Sequence, residues 1–217
     1  MHKILISISL LLLSTISMAQ INNRTRVGSC ASYGKRSRLY ITPYIGGGGA
    51  FYKYNLNNTV MSPDSLFFKE EQGRLYSPLA GINLMYNLGK TNLGGGAEIQ
   101  NLSGNTNNGL TETKRNILFY KFYGRLEYAF YKDAFFDFGI NLDGGFFFPQ
   151  NIPGKSAQMG VYAKAGIFYN IIINSTSSIF INLNYQYTNS TSQIGQAVST
   201  HISHGIVLSA GYRFWFQ

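Results

Sequence analysis

The chain of 217 residues is short of charge: Asp, Glu, Lys and Arg together make up 12% of it, about half the usual share of roughly 25%. A soluble domain with so few charges would be poorly provided with solubilising surface. There is one cysteine, Cys30, so no disulfide can close within the chain. Acidic residues run out early, since no Asp or Glu follows Asp143. Of three histidines, only His201 and His204 are neighbours, with no acid nearby; that is too little to build a zinc site, and no metal is expected. Gly46–Gly49 and Gly94–Gly96 lack the helix and Lys that follow a phosphate loop, and no cofactor is expected. Long apolar runs are missing too. Ala165–Tyr187 is interrupted by Asn, Ser, Thr and Gly, so no segment of the body of the chain supplies the ~20 apolar residues of a membrane-spanning helix.

Ile4 to Ile16 is mostly apolar, follows Met1-His2-Lys3, and precedes the small residues of Ser17-Met18-Ala19. This pattern predicts a cleavable signal peptide over residues 1–19, cut before Gln20. Residues 20–37 then form an N-terminal arm. Cys30 lies beyond the polar stretch 22–29, too far from the apolar run for a lipid attachment site. The net charge is +9, and part of it sits at Arg24, Arg26, Lys35, Arg36 and Arg38. Nucleic-acid recognition needs a basic face on a folded module, so no nucleic-acid partner is expected. A solvated arm touching anionic head groups accounts for these charges.

What is abundant is Gly (24), Tyr (16) and Phe (16), laid out with a period of two. Successive side chains of a strand face opposite sides, and apolar residues at every second position exclude the three-and-four spacing of a helix. About eight such segments occur, each long enough to cross a bilayer at a tilt: 39–52, 77–88, 92–102, 116–130, 135–148, 158–171, 179–189 and 201–216. In 116–130, Leu118, Tyr120, Phe122, Leu126, Tyr128 and Phe130 share one face, and Lys121, Tyr123, Arg125 and Glu127 the other. In 201–216, Ile206, Leu208, Ala210, Tyr212, Phe214 and Phe216 oppose Ser203, Ser209, Gly211 and Arg213.

If such a chain enters lipid it must close into a barrel, because open strands would leave backbone groups unsatisfied. The expectation is an all-β, eight-stranded antiparallel up-and-down transmembrane β-barrel over residues 38–217. Short turns at 89–91, 131–134 and 174–177 alternate with longer connections at 53–76, 103–115, 149–157 and 189–200, as periplasmic turns and external loops do. An even strand count places both ends of the mature chain on the periplasmic side. Aromatic residues fall into two outward girdles: Tyr86, Tyr128, Phe130, Phe136, Tyr169, Tyr212 and Phe214 at the short-turn end, and Phe51, Phe146, Phe148 and Tyr187 at the other.

The inward face carries four acids and four bases: Glu98, Lys121, Arg125, Glu127, Asp137, Asp143, Lys164 and Arg213. Buried charges persist only when paired, so an internal ion-pair network is expected, with Glu98 beside Lys121 or Arg125. About eight strands leave an interior filled by side chains, which argues against an open pore. His201 and Ser203 are the best catalytic pair on offer, and a lipid-modifying enzyme is one alternative. A nucleophilic Ser wants an oriented base, and the third group is missing. A soluble periplasmic barrel of lipocalin type is the other alternative; it would turn its apolar face inward around a ligand.

These segments and the ending Gly211-Tyr212-Arg213-Phe214-Trp215-Phe216-Gln217 resemble the OmpA/OmpX-type family of small outer-membrane barrels. The resemblance runs from about Leu39 to Gln217. It implies a bacterial outer-membrane location, lipid as the surrounding medium, and a structural or surface-interaction role rather than catalysis. It also implies that Tyr212, Phe214 and Phe216 form the signal read by the barrel-assembly machinery. Family members commonly end in Phe; here Phe216 is penultimate. The second domain with which some members grip peptidoglycan has no counterpart in this sequence.

Overall fold

The computed structural model describes residues 38–57, 70–152, 156–194 and 197–216. The expected signal peptide and the basic arm with Cys30 lie outside them. Ten strands make up the described chain: β1 (Leu39–Asn57), β2 (Glu70–Tyr76), β3 (Leu79–Asn87), β4 (Thr91–Asn107), β5 (Glu112–Lys132), β6 (Phe136–Gln150), β7 (Ser156–Ala157), β8 (Gly160–Asn174), β9 (Ser177–Ile194) and β10 (Ala197–Trp215). Among the described residues, no helix is long and apolar enough to cross a membrane.

Every pairing is antiparallel, and the ladder of β10 with both β9 and β1 closes the sheet. Register can be followed around the closure. Phe214 pairs with Ile41, then Leu84, Gly95, Gly124, Gly144, Ala163 and Tyr187, and the walk returns to β10 at His204. One circuit therefore climbs ten residues along β10.

The strand count corrects the expectation of eight. The segment expected at 77–88 is preceded by a further strand, and the two meet at Ser77-Pro78. Pro has no N–H to give to a ladder and interrupts it. Both pieces still lie between β1 and β4, since Ser77 N donates to Gly48 O and Asn101 N to Pro78 O, each at 2.9 Å. The two-residue β7 is the other addition; it pairs with β9.

The longer connections are also corrected, because much of 53–76, 103–115 and 189–200 is strand. β4 and β5 pair out to Asn107 and Glu112, and a tight turn joins them at Gly109, whose φ of 92° suits a residue without Cβ. At this end of the strands both faces carry polar side chains, as in Asn105–Asn107 and Glu112–Arg115, so the alternation that marks a strand fades while the backbone ladder continues. At the opposite end Gly89, with φ of 91°, makes the equivalent turn.

Parity separates the faces. Leu84, Ile140 and Leu208 are 51%, 38% and 55% exposed, whereas Lys121 and Arg213 are 0% and 1%. Inward glycines make room for the large side chains between them. A Cβ on Gly81 would lie 2.5 Å from the Tyr44 ring, and one on Gly160 would lie 2.4 Å from Phe147.

Candidate functional site: the barrel interior

Long inward side chains from five strands meet in mid-barrel. Glu98 on β4 lies between Lys121 Nζ on β5 at 2.9 Å and Lys164 Nζ on β8 at 3.1 Å. Lys164 reaches on to Asp143 of β6 at 3.2 Å, and Asp143 to Arg125 at 3.2 Å. Arg125 also bonds Glu127 at 3.0 Å, and Arg213 of β10 closes on Glu127 at 3.1 Å. Seven of the eight expected residues thus form one chain of alternating sign. The eighth, Asp137, is buried near the short-turn end, where it accepts a hydrogen bond from Asn170 Nδ2 at 3.1 Å. Adjacent strands bring Glu98 and Lys121 directly opposite one another. Arg125, the other expected partner of Glu98, turns to Glu127 and Asp143 instead.

Neutral groups complete the layer. Tyr44 Oη donates to Glu98 at 2.9 Å, and Tyr40 Oη to Glu127 at 3.0 Å. Tyr123 Oη donates to Asn83 at 2.6 Å. Lys121 Nζ sits 4.3 Å from the centre of the Tyr162 ring, and the Arg213 guanidinium 4.2 Å from that of Tyr40. Such contacts matter because a low-dielectric interior penalises every charge left short of partners.

Above this layer, toward the longer connections, the interior turns apolar: Leu75, Leu102, Ile117, Phe119 and Phe147 are buried in one cluster. Beyond it lies a second polar group that sequence reasoning missed. Arg115 clasps Glu71 through Nε at 2.7 Å and through its terminal nitrogen, and Thr106 Oγ1 also donates to Glu71. Both residues fall in stretches expected to be loops. Carrying the parity of β5 back from Lys121 would have pointed Arg115 inward; Glu71 needed the register of β2.

His201 belongs to this outer group and lies past the outward aromatic residues of that end, at a level where the outward positions are Lys53, Asn55, Asn189 and Thr191. Its Nδ1 contacts Tyr52 Oη at 2.7 Å and its Nε2 contacts Ser192 Oγ at 2.8 Å. Ser203, its companion in the enzyme alternative, is bonded to Thr188 Oγ1 at 2.6 Å instead. Burial, with the Arg115 guanidinium nearby, pushes the imidazole down to about 4. Among the described residues, no group of three or more His, Cys, Asp or Glu could hold a metal ion.

On the outside, Tyr86, Tyr128, Phe130, Tyr169 and Phe214 are exposed at the short-turn end, with Phe136 and Tyr212 half-buried. Phe146, Phe148 and Tyr187 are exposed at the other, and Phe51 is half-buried there.

No protein-family model matches the chain, and no curated protein matches its sequence. Among solved structures, the outer membrane protein OprG from Pseudomonas aeruginosa aligns with a TM-score of 0.54 at 13% identity, over 85% of this chain and 98% of that one. Neisserial surface protein A aligns with a TM-score of 0.49 at 15% identity, over 83% and 98%. At such identities the likeness speaks to the fold, and the OprG alignment carries it. Fold and interior together define a small β-barrel of the outer-membrane type with a buried, ion-paired interior.

Proposed function

We propose that the chain is an integral protein of the bacterial outer membrane that crosses it eight times and serves a structural or surface-interaction role behind a closed lumen. The observation that carries this reading is the inversion of the two faces: an exposed apolar belt outside, and charges in ion pairs within. A lipocalin-like barrel would have the opposite arrangement. Eight crossings follow when β2 and β3 count as one strand and β7 is left outside the bilayer. With a climb of ten residues per circuit, a rise of ~3.3 Å and a strand spacing of ~4.7 Å, the strands tilt by about 40°, as such barrels require. The ion-paired layer and the apolar layer above it support a lumen closed to general diffusion.

A lipid-modifying enzyme is disfavoured by the geometry around His201. Ser203 is turned away from it, Glu71 is engaged by Arg115, and an imidazole held near 4 is a weak base at neutral pH. Lipid is the partner of the outer face. Phe214 and Phe216 are exposed on the last strand with Tyr212 beside them, which suits recognition by the assembly machinery after export under a signal peptide. Fractionation of cells tests the reading: the mature chain is expected in the detergent-resistant outer membrane. Recovery in the soluble periplasmic fraction would refute it.

A further inference from the structure

Charge on the outer face is confined to one sector of the barrel. Among the described residues, the outward positions of β6, β8, β9 and β10 carry no Asp, Glu, Lys or Arg. Toward the longer connections, the outward charges all sit on β1, β2 and β5: Lys53, Glu70, Arg74, Glu112 and Lys114. Their order is the same on each strand. Reading away from the aromatic residues, Lys53 follows Phe51 on β1, Arg74 follows Tyr76 on β2, and Lys114 is the first outward charge beyond Tyr120 on β5. The acids come later, Glu70 beyond Arg74 and Glu112 beyond Lys114. A base therefore stands nearest the apolar belt on all three strands.

The acids are also engaged. Lys53 Nζ holds Glu70 at 2.6 Å, and Asn105 Nδ2 donates to Glu112 at 3.4 Å. Arg74 and Lys114 are exposed and have no ion-pair partner among the described residues. They flank Asn105 of β4 in register, one on each side, so two strand spacings, roughly 9–10 Å, separate their Cα atoms. Side chains of that length can close on one small anion placed over Asn105. Ser103 and Asn116, one row nearer the belt, add a hydroxyl and an amide.

We propose that Arg74 and Lys114 bind the phosphate of an anionic lipid head group in the leaflet on the side of the longer connections. This deepens the barrel reading above and rests on it. Arg offers a planar fork that matches two phosphate oxygens, and Lys a mobile point charge. The lipid's chains would lie along the apolar belt below Tyr76 and Tyr120, a contact that a free phosphate ion cannot make. Near a membrane surface each such base strengthens the hold on an anionic lipid roughly fivefold. The uncharged outer wall of β6, β8 and β9 offers no equivalent, so the binding is one-sided.

Native mass spectrometry of the purified full-length protein, in detergent with added phosphatidic acid, tests the proposal; heat-dependent migration first shows that the protein is folded. Phosphatidic acid is expected to bind roughly twentyfold tighter than phosphatidylcholine with the same chains. Arg74→Gln and Lys114→Gln are each expected to weaken it roughly fivefold, and the double variant to bring it close to phosphatidylcholine. Lys90→Gln at the short-turn end is expected to leave it unchanged. Folded protein that binds the two lipids alike would overturn the proposal, as would a double variant that binds phosphatidic acid as tightly as the wild type, or an equal loss in Lys90→Gln. Displacement of the lipid by millimolar inorganic phosphate would show a free-ion site and overturn it too. A protein that shows no heat-dependent migration would instead sink the barrel reading beneath it.

Discussion

Glu98 holds two lysines, and that makes it the most exposed point of the interior to mutation. Removing one partner from a buried pair leaves an uncompensated charge, at a cost of about 3–5 kcal/mol. Glu98→Ala strands Lys121, whose other hydrogen-bond partner is Gln186 at 3.2 Å, while Lys164 keeps Asp143. The expected result is a loss of unfolding free energy of that size in detergent, read from a lowered midpoint in urea titration; an unmoved midpoint would count against the network. His201 makes a pH prediction. Its folded pKa of about 4 lies below the unfolded value of about 6.5, so the unfolded chain binds the extra proton between these values. The stabilisation is present above pH 6.5 and is lost as pH falls toward 4, a change of about 3 kcal/mol. His201→Gln should flatten this part of the stability–pH curve.

Strands here are tuned on both faces, and each face gives its own test. Inside, the strands accommodate bulky residues by setting glycine against them. Gly81→Val would push into Tyr44 and Ala97 O and disturb the Tyr44–Glu98 bond, with overpacking expected to cost about 1–3 kcal/mol. Gly49→Ala, with nothing within 4 Å of the new carbon, is expected to leave the same unfolding midpoint almost unchanged. Equal losses at both sites would mean that backbone freedom, not space, is what glycine supplies. Outside, Leu208 is 55% exposed in mid-strand. Leu208→Arg places a charge in hydrocarbon at about 2–4 kcal/mol and should lower the yield recovered from membranes; normal yield would show that Leu208 does not face lipid.

At the scale of the molecule, closure is the dominant fact, because β10 leaves neither β1 nor β9 with a free edge along most of its length. A closed ladder has no edge from which to unzip, and such barrels resist detergent until heated. Unboiled protein is expected to migrate differently from boiled protein in a detergent gel, and identical migration would contradict the closed form.

Much of this organisation was legible in one dimension. A period of two distributes side chains to two faces whatever the tertiary partners are. Parity therefore assigned Leu84, Ile140 and Leu208 outward, and all eight interior charges inward, before any contact was known. Parity cannot say which charge meets which. Asp137 lies apart from the chain of pairs, and Arg125 bridges Glu127 and Asp143, because those choices depend on register between strands distant in sequence. The same limit hid Glu71, while Arg115 and the strand extensions were hidden by the fading of the alternation toward the strand ends. Where both faces of a strand are polar, its sequence loses the alternation while its backbone keeps the ladder. Sequence alone thus determined which way residues face, through the geometry of a single strand. Only the closed sheet decided who meets whom, because shear brings residues from different strands to a common height.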